Sequence, residues 1–311
     1  MNPSRRILLT GATGFIGQHV HRAFLDQGHD VTALIRSGSK NPPLDPRTKI
    51  LRANLLDSIA MQDAVRDCDA VVALAGAVRG RSPEDFRSAN IAAPMVLQEA
   101  MTAAASHVPL LFMSSLAATE PHLSDYAASK HAGEEAITSS ALQWCVFRPP
   151  AVYGPGEREL RPLLDWMARG VIIIPGNAAQ RLAFIHVADL TAACVAWLAN
   201  SAALSGRAFE LNDGEPEGYD WPAIEAACSK RRKIRLVVPA AALEMLGRFS
   251  VWASRITGTA PMLSPGKVRE LMFPSWVGSS TGEGNNAFSV VTGWKPEWKL
   301  KAGVRQTLET R

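Results

Sequence analysis

A glycine-rich segment near the N-terminus constrains the fold of this 311-residue chain more than any other feature. It reads TGATGFIG over residues 10–17, after a short apolar run and before a helical pattern. Gly11 permits a tight turn out of a strand, Gly14 lets the backbone approach a pyrophosphate, and Gly17 lets the following helix lie close on the sheet. Amides at that helix N-terminus would then face an anion. The segment therefore predicts dinucleotide binding rather than a simple turn.

Short apolar runs alternate with helical patterns through the first half of the chain. The runs are rich in Val, Ile and Leu and show little polar alternation, which is typical of parallel strands covered on both faces. The predicted strands are Arg5–Thr10, Asp30–Ile35, Lys49–Ala53, Asp69–Ala75, Val108–Met113 and Gln143–Arg148. They predict an α/β fold with a doubly wound parallel (Rossmann) sheet, in which the ligand lies at the carboxyl ends of the strands where their order reverses.

The pattern changes after Arg148, where prolines and glycines interrupt the chain. We expect a dinucleotide-binding domain over residues 1–155, to which 182–213 return. A smaller, mostly helical C-terminal subdomain, made of 156–181 and 214–311, would bind the substrate.

One stretch of that subdomain has apolar residues every three or four positions, which predicts a helix with one apolar face. That face would either pack the subdomain together or form a wall over the substrate cleft. Its residues are Leu243, Leu246, Phe249, Trp252 and Ile256.

Composition excludes several other classes of protein. Hydrophobic residues make up 47% and charged residues 20%, with a net charge of +4, as in an average globular protein. No apolar stretch is long enough to span a membrane, and no secretory signal is recognisable, so we expect a cytoplasmic protein. The basic run at 230–235 is interpreted as a solvated loop rather than a nucleic-acid site. Metal binding and disulfides are not expected because Cys68, Cys145, Cys194 and Cys228 lie far apart.

The end of the second predicted strand bears on the choice of dinucleotide. An NAD-binding domain often has an acidic residue there, about 20 residues after the glycines, to bind the ribose hydroxyls. This chain has Arg36 instead. Because a guanidinium binds a 2′-phosphate that an acid would repel, NADP(H) is favoured over NAD(H). Alternatively, Arg36 points into solvent or stacks on adenine.

Tyr126 and Lys130 are four residues apart and would share one face of a helix. Ser124 is a plausible N-cap, which would place Tyr126 in the first turn. The positive helix end and Lys130 would both lower the pKa of the phenol, so that it exchanges a proton with an alcohol or ketone near neutral pH. Ser114 and Ser115 end the fifth strand, where a hydroxyl could hydrogen-bond the reacting oxygen.

These motifs, taken in order, resemble the short-chain dehydrogenases/reductases of the extended or atypical type, in the NAD-dependent epimerase/dehydratase superfamily. The resemblance covers most of the chain. It includes the glycine segment, NLLD at 54–57, LAG at 74–76, the serine pair, the Tyr126/Lys130 pair, RPPAVYGPG at 148–156 and FIHVADL at 184–190.

The resemblance implies a role for each matching residue. Ser115, Tyr126 and Lys130 match the catalytic residues: Ser115 orients the reacting oxygen, Tyr126 moves the proton, and Lys130 holds the ribose and tunes Tyr126. His186 and Asp189 match a mainly structural segment. The cofactor residues would be Gly11, Thr13, Gly14, Phe15, Ile16 and Gly17 at the pyrophosphate, Asn54 and Leu55 at adenine, Leu74, Ala75 and Gly76 along the nicotinamide ribose, and Pro149 and Val152 beside the nicotinamide.

Two departures weaken a nucleotide-sugar interpretation. Only 11 residues separate Ser115 from Tyr126, a shorter interval than in nucleotide-sugar epimerases, and Arg181 is displaced from the position that binds a sugar diphosphate in those enzymes. The C-terminal segments with Trp276 and Trp294 resemble ketone, flavonol and sterol reductases instead. We therefore expect an NADP(H)-preferring oxidoreductase acting on a carbonyl or alcohol. An epimerase or dehydratase with tightly bound NAD and a catalytically silent NADP-binding protein remain alternatives. The family also implies a homodimer through the helices that carry Gln98 and Lys130.

Overall fold

The structure is a computed structural model that describes residues 3–37, 44–228, 234–278 and 282–310. The strands are β1 (Arg6–Thr10), β2 (Asp30–Ile35), β3 (Lys49–Arg52), β4 (Ala70–Ala73), β5 (Leu110–Met113), β6 (Trp144–Phe147), β7 (Ala151–Tyr153), β8 (Val171–Pro175), β9 (Arg181–Leu182), β10 (Phe184–His186), β11 (Arg207–Glu210), β12 (Ile234–Val238), β13 (Ser275–Trp276) and β14 (Glu283–Gly284).

The helices are α1 (Phe15–Asp26), α2 (Ser58–Arg66), α3 (Pro83–Arg87), α4 (Ala93–Ala104), α5 (Asp125–Thr138), α6 (Arg161–Ala168), α7 (Val187–Asn200), α8 (Trp221–Cys228), α9 (Ala240–Thr257), α10 (Pro265–Met272), α11 (Asn285–Thr292) and α12 (Leu300–Glu309). A π-helical turn at Ser88–Ala92 joins α3 to α4, and a 3₁₀ turn at Leu116–Thr119 follows β5.

Eight parallel strands form the central sheet in the order β14-β11-β6-β5-β4-β1-β2-β3. The order reverses between β1 and β4, which confirms the predicted doubly wound sheet. All six strands predicted from the first half are present, and most are one to three residues shorter. The reversal places the carboxyl ends of β1, β4 and β5 side by side, where such sheets bind their ligands.

Apolar cores fill both faces of this sheet, as expected for strands without polar alternation. On one face, Phe24 of α1 and Trp197 of α7 belong to a buried cluster with Phe147, Phe209 and Phe288. On the other face, side chains of α2, α4 and α5 pack on β4, β5 and β6. A third cluster joins α6, β8, α8 and α12 and forms the core of the smaller subdomain.

The segment from β14 to Trp294 differs from the predicted domain division. We expected residues 214–311 in the substrate subdomain, but β14 is the edge strand of the central sheet and pairs with β11. Phe288 and Trp294 are buried in the core of that sheet. The cause is contact with distant segments: β14 pairs with β11, and Phe288 and Trp294 pack into the core of the sheet.

Helix α9 forms where the sequence predicts it, but most residues of its predicted apolar face do not pack the subdomain together. Leu243 is buried, whereas Leu246, Phe249, Trp252 and Ile256 are all at least half exposed. The face that packs onto α10 carries the small residues Gly247 and Ser254 instead. Of the two predicted roles, packing of the subdomain is therefore wrong for these four side chains, and a wall over a substrate cleft stays a prediction.

Several smaller predictions can be compared with the structure. All four cysteines are buried free thiols, as expected. Of the basic run, residues 230–233 lie outside the described residues, and Arg235 forms an ion pair of 2.8 Å with Glu225. No helix in the described part of the chain is both long and apolar enough to cross a membrane.

Candidate active site

The glycine segment connects β1 to α1. Two of its glycines, Gly11 and Gly17, have no space for a side chain. Gly11 has a φ of 72°, and a Cβ there would lie 2.7 Å from the amide nitrogen of Ala75. A Cβ on Gly17 would lie 1.9 Å from the carbonyl oxygen of Gly11. The close contact at Gly17 is therefore with the loop itself, not with the sheet as we expected. Gly14 is exposed at the start of α1, so the helix amides are open to an anion.

Thr10 fastens this segment to the chain that leaves β4. Its carbonyl accepts a 3.3 Å hydrogen bond from the amide of Leu74, and its hydroxyl accepts one of 3.2 Å from the amide of Ala75. The predicted pyrophosphate loop and the predicted nicotinamide-ribose segment are thus direct neighbours at the point where the strand order reverses.

Asn90, which the sequence analysis did not select, holds the next residues of this segment. Its side chain bonds both the amide and the carbonyl of Ala77, at 2.8 and 2.9 Å, and it donates a further 2.9 Å bond to Ser129 on α5. The residue is buried in the π-helical turn between α3 and α4. A single asparagine in a helical pattern carries no signal of this kind, because its partners lie 13 and 39 residues away.

Tyr126 lies in the first turn of α5, as predicted, and Ser124 caps that helix by accepting a 3.0 Å hydrogen bond from the amide of Ala127. The Ser115 side chain interacts with the phenol of Tyr126 and lowers its pKa. Ser114, by contrast, is buried and donates its hydroxyl to Glu134. The two neighbouring serines are therefore distinct, and only Ser115 meets the tyrosine.

Lys130 is buried one turn further along α5. Its ammonium donates a 2.6 Å hydrogen bond to the carbonyl of Met113 at the end of β5 and lies 5.1 Å from the centre of the Phe112 ring. A Cβ on Gly76 would lie 3.8 Å from the ammonium. Burial lowers the pKa of Lys130 to about 8, against the opposing charge of Glu134. The ammonium therefore lies between the carboxyl ends of β4 and β5.

The pKa of Tyr126 does not move in the direction we expected. Burial raises the pKa of this phenol above its usual value, while the Ser115 side chain and the charge of Lys267 lower it less. The prediction of a net lowering by the helix end and Lys130 is wrong for the protein alone. The physical reason is that desolvation disfavours the phenolate, and the Lys130 ammonium is bonded to Met113.

Helix α10 supplies a second ammonium to the site. The Lys267 ammonium lies 6.0 Å from the centre of the Tyr126 ring and 2.8 Å from Glu270. Glu270 also accepts a hydrogen bond from Ser124, the N-cap of α5. These two residues are more than 130 positions from Tyr126 in the sequence, so no local pattern could have identified them. Phe86 packs edge-on against the Tyr126 ring with centroids 6.2 Å apart.

Arg36 lies at the mouth of a cavity of about 460 Å³. Arg79 and Arg81, which the sequence analysis did not select, line the same cavity, together with Ala77 and the end of α9 at Gly258. Arg79 forms an ion pair of 2.5 Å with Glu159, and Arg81 one of 3.7 Å with Asp85. The carboxylate of Asp85 also lines the cavity, so among the described residues Arg36 is the guanidinium left to bind an anionic group there; the cavity adjoins the segment that follows β4.

The other predicted cofactor residues lie at the carboxyl edge of the sheet or in its loops. Asn54 is exposed after β3, where its side chain accepts a 3.1 Å bond from the amide of Leu56. Pro149 accepts a 2.9 Å bond from the amide of Leu116, which places it beside Ser115. Thr13, Phe15 and Ile16 are partly buried in the first turn of the glycine loop and α1, Leu55 is partly buried against the α2 side of the core, and Val152 lies in β7.

His186 and Asp189 have structural contacts, as the resemblance implies. His186 caps α7 by accepting a bond from the amide of Ala188 and stacks on Trp298 with centroids 4.5 Å apart; burial lowers its pKa to about 4. Asp189 accepts 3.0 Å bonds from the amides of Glu297 and Trp298. Arg181, the displaced candidate for a sugar diphosphate, lies 3.9 Å from the carboxylate of Asp220.

Comparison with known proteins gives this geometry a context. The family model described as NAD dependent epimerase/dehydratase family matches residues 7–211. A ceramide reductase from Caulobacter vibrioides is 32% identical over 308 residues, covering 96% of this chain and 95% of that protein. A 2-alkyl-3-oxoalkanoate reductase from Stenotrophomonas maltophilia is 30% identical over 239 residues, covering 68% and 71%.

Among solved structures, a UDP-glucuronic acid 4-epimerase from Bacillus cereus in complex with UDP-glucuronic acid and NAD superposes with a TM-score of 0.68. It is 18% identical and covers 97% of both chains. At this identity the likeness concerns the fold: the same parallel sheet with flanking helices, over nearly the whole length.

Proposed function

Because the chain belongs to the NAD-dependent epimerase/dehydratase family, an enzyme family of reductases, dehydrogenases and epimerases, we propose that it is an NADP(H)-preferring reductase or dehydrogenase. Its substrate would be an apolar molecule with a carbonyl or secondary alcohol. The observation that carries the proposal is the contact between the Tyr126 phenol and the Ser115 hydroxyl at the carboxyl edge of the sheet.

In the proposed mechanism, Tyr126 gives a proton to the carbonyl oxygen in reduction and takes it back in oxidation. Ser115 donates a hydrogen bond to the same oxygen as negative charge develops on it. Lys130 holds positive charge beneath the site, where burial lowers its pKa to about 8. These groups need no rearrangement of the backbone, since α5 and the end of β5 already hold them.

The residues at the sheet edge fit a dinucleotide. The glycine loop leaves no space for side chains and opens the amides of α1 to a pyrophosphate, and the segment 74–76 lies beside it. When bound, the cofactor supplies or accepts the hydride. We assign the 2′-phosphate to the cavity that Arg36 lines, because a guanidinium there favours a phosphate over a ribose hydroxyl. Arg79 and Arg81 line the same cavity but are already paired with Glu159 and Asp85.

An apolar substrate is favoured by two observations. Two relatives that match at least two thirds of the chain are named for a ceramide and an alkyl-oxoalkanoate, both of which carry alkyl chains. Phe86 covers one side of Tyr126. In addition, Arg181 lies against Asp220, so its charge is partly balanced before any sugar diphosphate binds.

The remaining parts of the proposal concern the whole molecule. Residues 156–181 together with the helices of 214–278 would bind the substrate, while β14 and α11 belong to the cofactor domain. The protein would be cytoplasmic, in agreement with its free thiols. Two copies would pair through α4 and α5, which carry Gln98 and Lys130, and light scattering tests this pairing.

The decisive experiment measures binding first and turnover second. Titration with NADPH and NADH gives the two dissociation constants, and the saturated protein is then assayed with long-chain ketones, short ketones and UDP-sugars. We expect tighter binding of NADPH and turnover of long-chain ketones. Cofactor that stays bound through purification, together with turnover of UDP-sugars, would instead indicate an epimerase or dehydratase. Tight NADPH binding with no turnover of any carbonyl would indicate a catalytically silent protein.

A further inference from the structure

Helix α9 exposes a row of large apolar side chains that nothing in the described chain covers. Met245 is 67% exposed, Phe249 61%, Trp252 55% and Ile256 70%, and Leu246 is half exposed beside them. The residues recur every three or four positions, so they lie on one side of a helix of 18 residues. Single exposed apolar residues are common on protein surfaces, but a continuous row of five is not.

The orientation of this helix is fixed by its opposite side. Gly247 packs so closely on α10 that a Cβ there would lie 3.3 Å from the backbone nitrogen of Pro265 and 3.3 Å from Val268. Leu243 and Ser254 are buried on the same side. A rotation that turned Phe249 or Trp252 inward would bring a large ring to this close contact, so the outward apolar face is a consequence of the packing.

Two arginines beside the apolar row of α9 indicate what kind of surface covers it. Arg248 and Arg255 are seven residues apart, so they lie along one edge of the apolar row, and both are exposed. Neither forms an ion pair with any residue that the structure describes. The one acidic residue of the helix, Glu244, lies in its second turn. Aromatic and aliphatic side chains bordered by arginines are typical of helices that lie in the surface of an anionic bilayer.

Helix α9 lies close to the proposed active site. Its C-terminal end at Gly258 lines the cavity of Arg36, and α10 beneath it carries Lys267, 6.0 Å from the Tyr126 ring. Helix α10, against which α9 packs at Gly247, thus connects α9 to the residues of the proposed catalytic site. A protein that rests on this face therefore holds its site close to the surface on which it lies.

We infer that the outward face of α9, formed by Met245, Leu246, Phe249, Trp252 and Ile256 and flanked by Arg248 and Arg255, docks the protein on the surface of an anionic lipid bilayer. The apolar side chains enter the boundary between headgroups and acyl chains, and the two guanidiniums bind headgroup phosphates. The helix lies in the plane of the surface and does not cross the membrane. The inference does not depend on the proposed reaction.

Co-sedimentation with lipid vesicles tests the docking without substrate or cofactor. We expect the protein to bind vesicles of phosphatidylcholine with phosphatidylglycerol, and to bind vesicles of phosphatidylcholine alone at least tenfold more weakly. The double variant Phe249→Gln/Trp252→Gln should lose at least tenfold in vesicle affinity. Arg248→Gln/Arg255→Gln should lose affinity only for the anionic vesicles and should abolish the salt dependence of binding.

A matched control has two apolar side chains that are equally exposed but lie elsewhere. Ile59 on α2 is 73% exposed and Val290 on α11 is 86% exposed, so Ile59→Gln/Val290→Gln should bind vesicles like the original protein. Thermal unfolding checks that all variants fold, which we expect because every substituted residue is exposed.

Three results would overturn the inference. They are absence of vesicle binding, equal binding to both kinds of vesicle, or equal loss in the control variant. If vesicles are not bound and Phe249→Gln/Trp252→Gln converts a dimer into a monomer in light scattering, the face is a contact between two copies. Vesicle binding without turnover of any ketone would refute the proposed function and leave the docking intact; turnover without vesicle binding would do the reverse.

Discussion

The ammonium of Lys130 donates a 2.6 Å hydrogen bond to the carbonyl of Met113, so the helix that carries Tyr126 is tied directly to the carboxyl end of β5. Ser115 and the 3₁₀ turn that follows it lie between the strand and the helix in the sequence, and the bond joins the two elements across this segment. It places the phenol, the serine hydroxyl and the ammonium in one fixed group before any ligand binds.

Removing the Tyr126 hydroxyl should abolish catalysis without affecting cofactor binding. For Tyr126→Phe we expect turnover to fall about 100- to 10,000-fold, the range that general acid–base catalysis contributes. The dissociation constant for NADPH should stay the same, since the ring still packs on Phe86. Stopped-flow or steady-state assays on the best ketone measure the first, and fluorescence titration the second. Tyr219→Phe is the control, because its hydroxyl bonds Asp213 away from Ser115. Normal turnover in Tyr126→Phe would refute the mechanism.

Arg36 should determine the choice between the two dinucleotides. A charge-assisted hydrogen bond contributes about 1.5–3 kcal/mol, so Arg36→Gln should weaken NADPH binding about 10- to 100-fold and leave NADH binding unchanged. Parallel titrations with both cofactors measure the ratio. Arg66→Gln is a suitable control, because Arg66 is exposed on α2 and pairs only with the neighbouring Asp63 at 2.7 Å among the described residues. If Arg36→Gln weakens both cofactors equally, Arg36 does not bind the 2′-phosphate.

Burial of Lys130 should make stability depend on pH in a defined window. Its pKa falls from 10.5 in the unfolded chain to about 8 in the folded protein, so the unfolded chain binds the proton more tightly between these values. Relative to Lys130→Met, the original protein should therefore gain about 3 kcal/mol in the free energy of unfolding as the pH rises from 8 to 10.5. Below pH 8 the difference should be constant. Urea unfolding of both proteins at several pH values measures it, and parallel curves across the window would contradict the lowered pKa.

The glycine at position 17 should be irreplaceable even by alanine. A Cβ there would lie 1.9 Å from the Gly11 carbonyl, so Gly17→Ala must displace the loop or the start of α1. We expect a loss of about 1–3 kcal/mol in the free energy of unfolding, together with weaker NADPH binding. At Gly284 a Cβ would meet nothing within 4 Å and φ is −88°, so Gly284→Ala serves as the matched control and should fold and bind normally. Unaltered cofactor affinity in Gly17→Ala would show that the loop does not bind the dinucleotide.

Local patterns in the sequence predict the sheet and the Tyr126/Lys130 pair, because each of these features depends on residues that are close together in the chain. Apolar runs without alternation mark β1 to β6, and the i, i+4 spacing of Tyr126 and Lys130 places them on one helix. The two-residue strand β14 has no such pattern, since Glu283 and Gly284 form a strand only through β11.

Contacts between distant segments account for what could not be predicted. Lys267 lies near Tyr126 because α10 packs beside α5. Arg79 and Arg81 lie near Arg36 because all three line the same cavity. The periodicity correctly predicts that α9 has an apolar face, but it cannot predict which face of the helix packs against another element. Gly247 determines the packed face, because its small size lets α10 approach the side of α9 opposite to the apolar row.

The bond between Ser124 and Glu270 joins residues 146 positions apart. On the ribosome, strands β1 to β6 and the glycine loop are therefore synthesised long before Glu270. The first turn of α5 gains its last polar partner only when α10 has emerged and docked. The N-cap of the helix that carries Tyr126 is thus completed by a residue of the last part of the chain to be made, so a nascent chain cannot hold the finished catalytic edge.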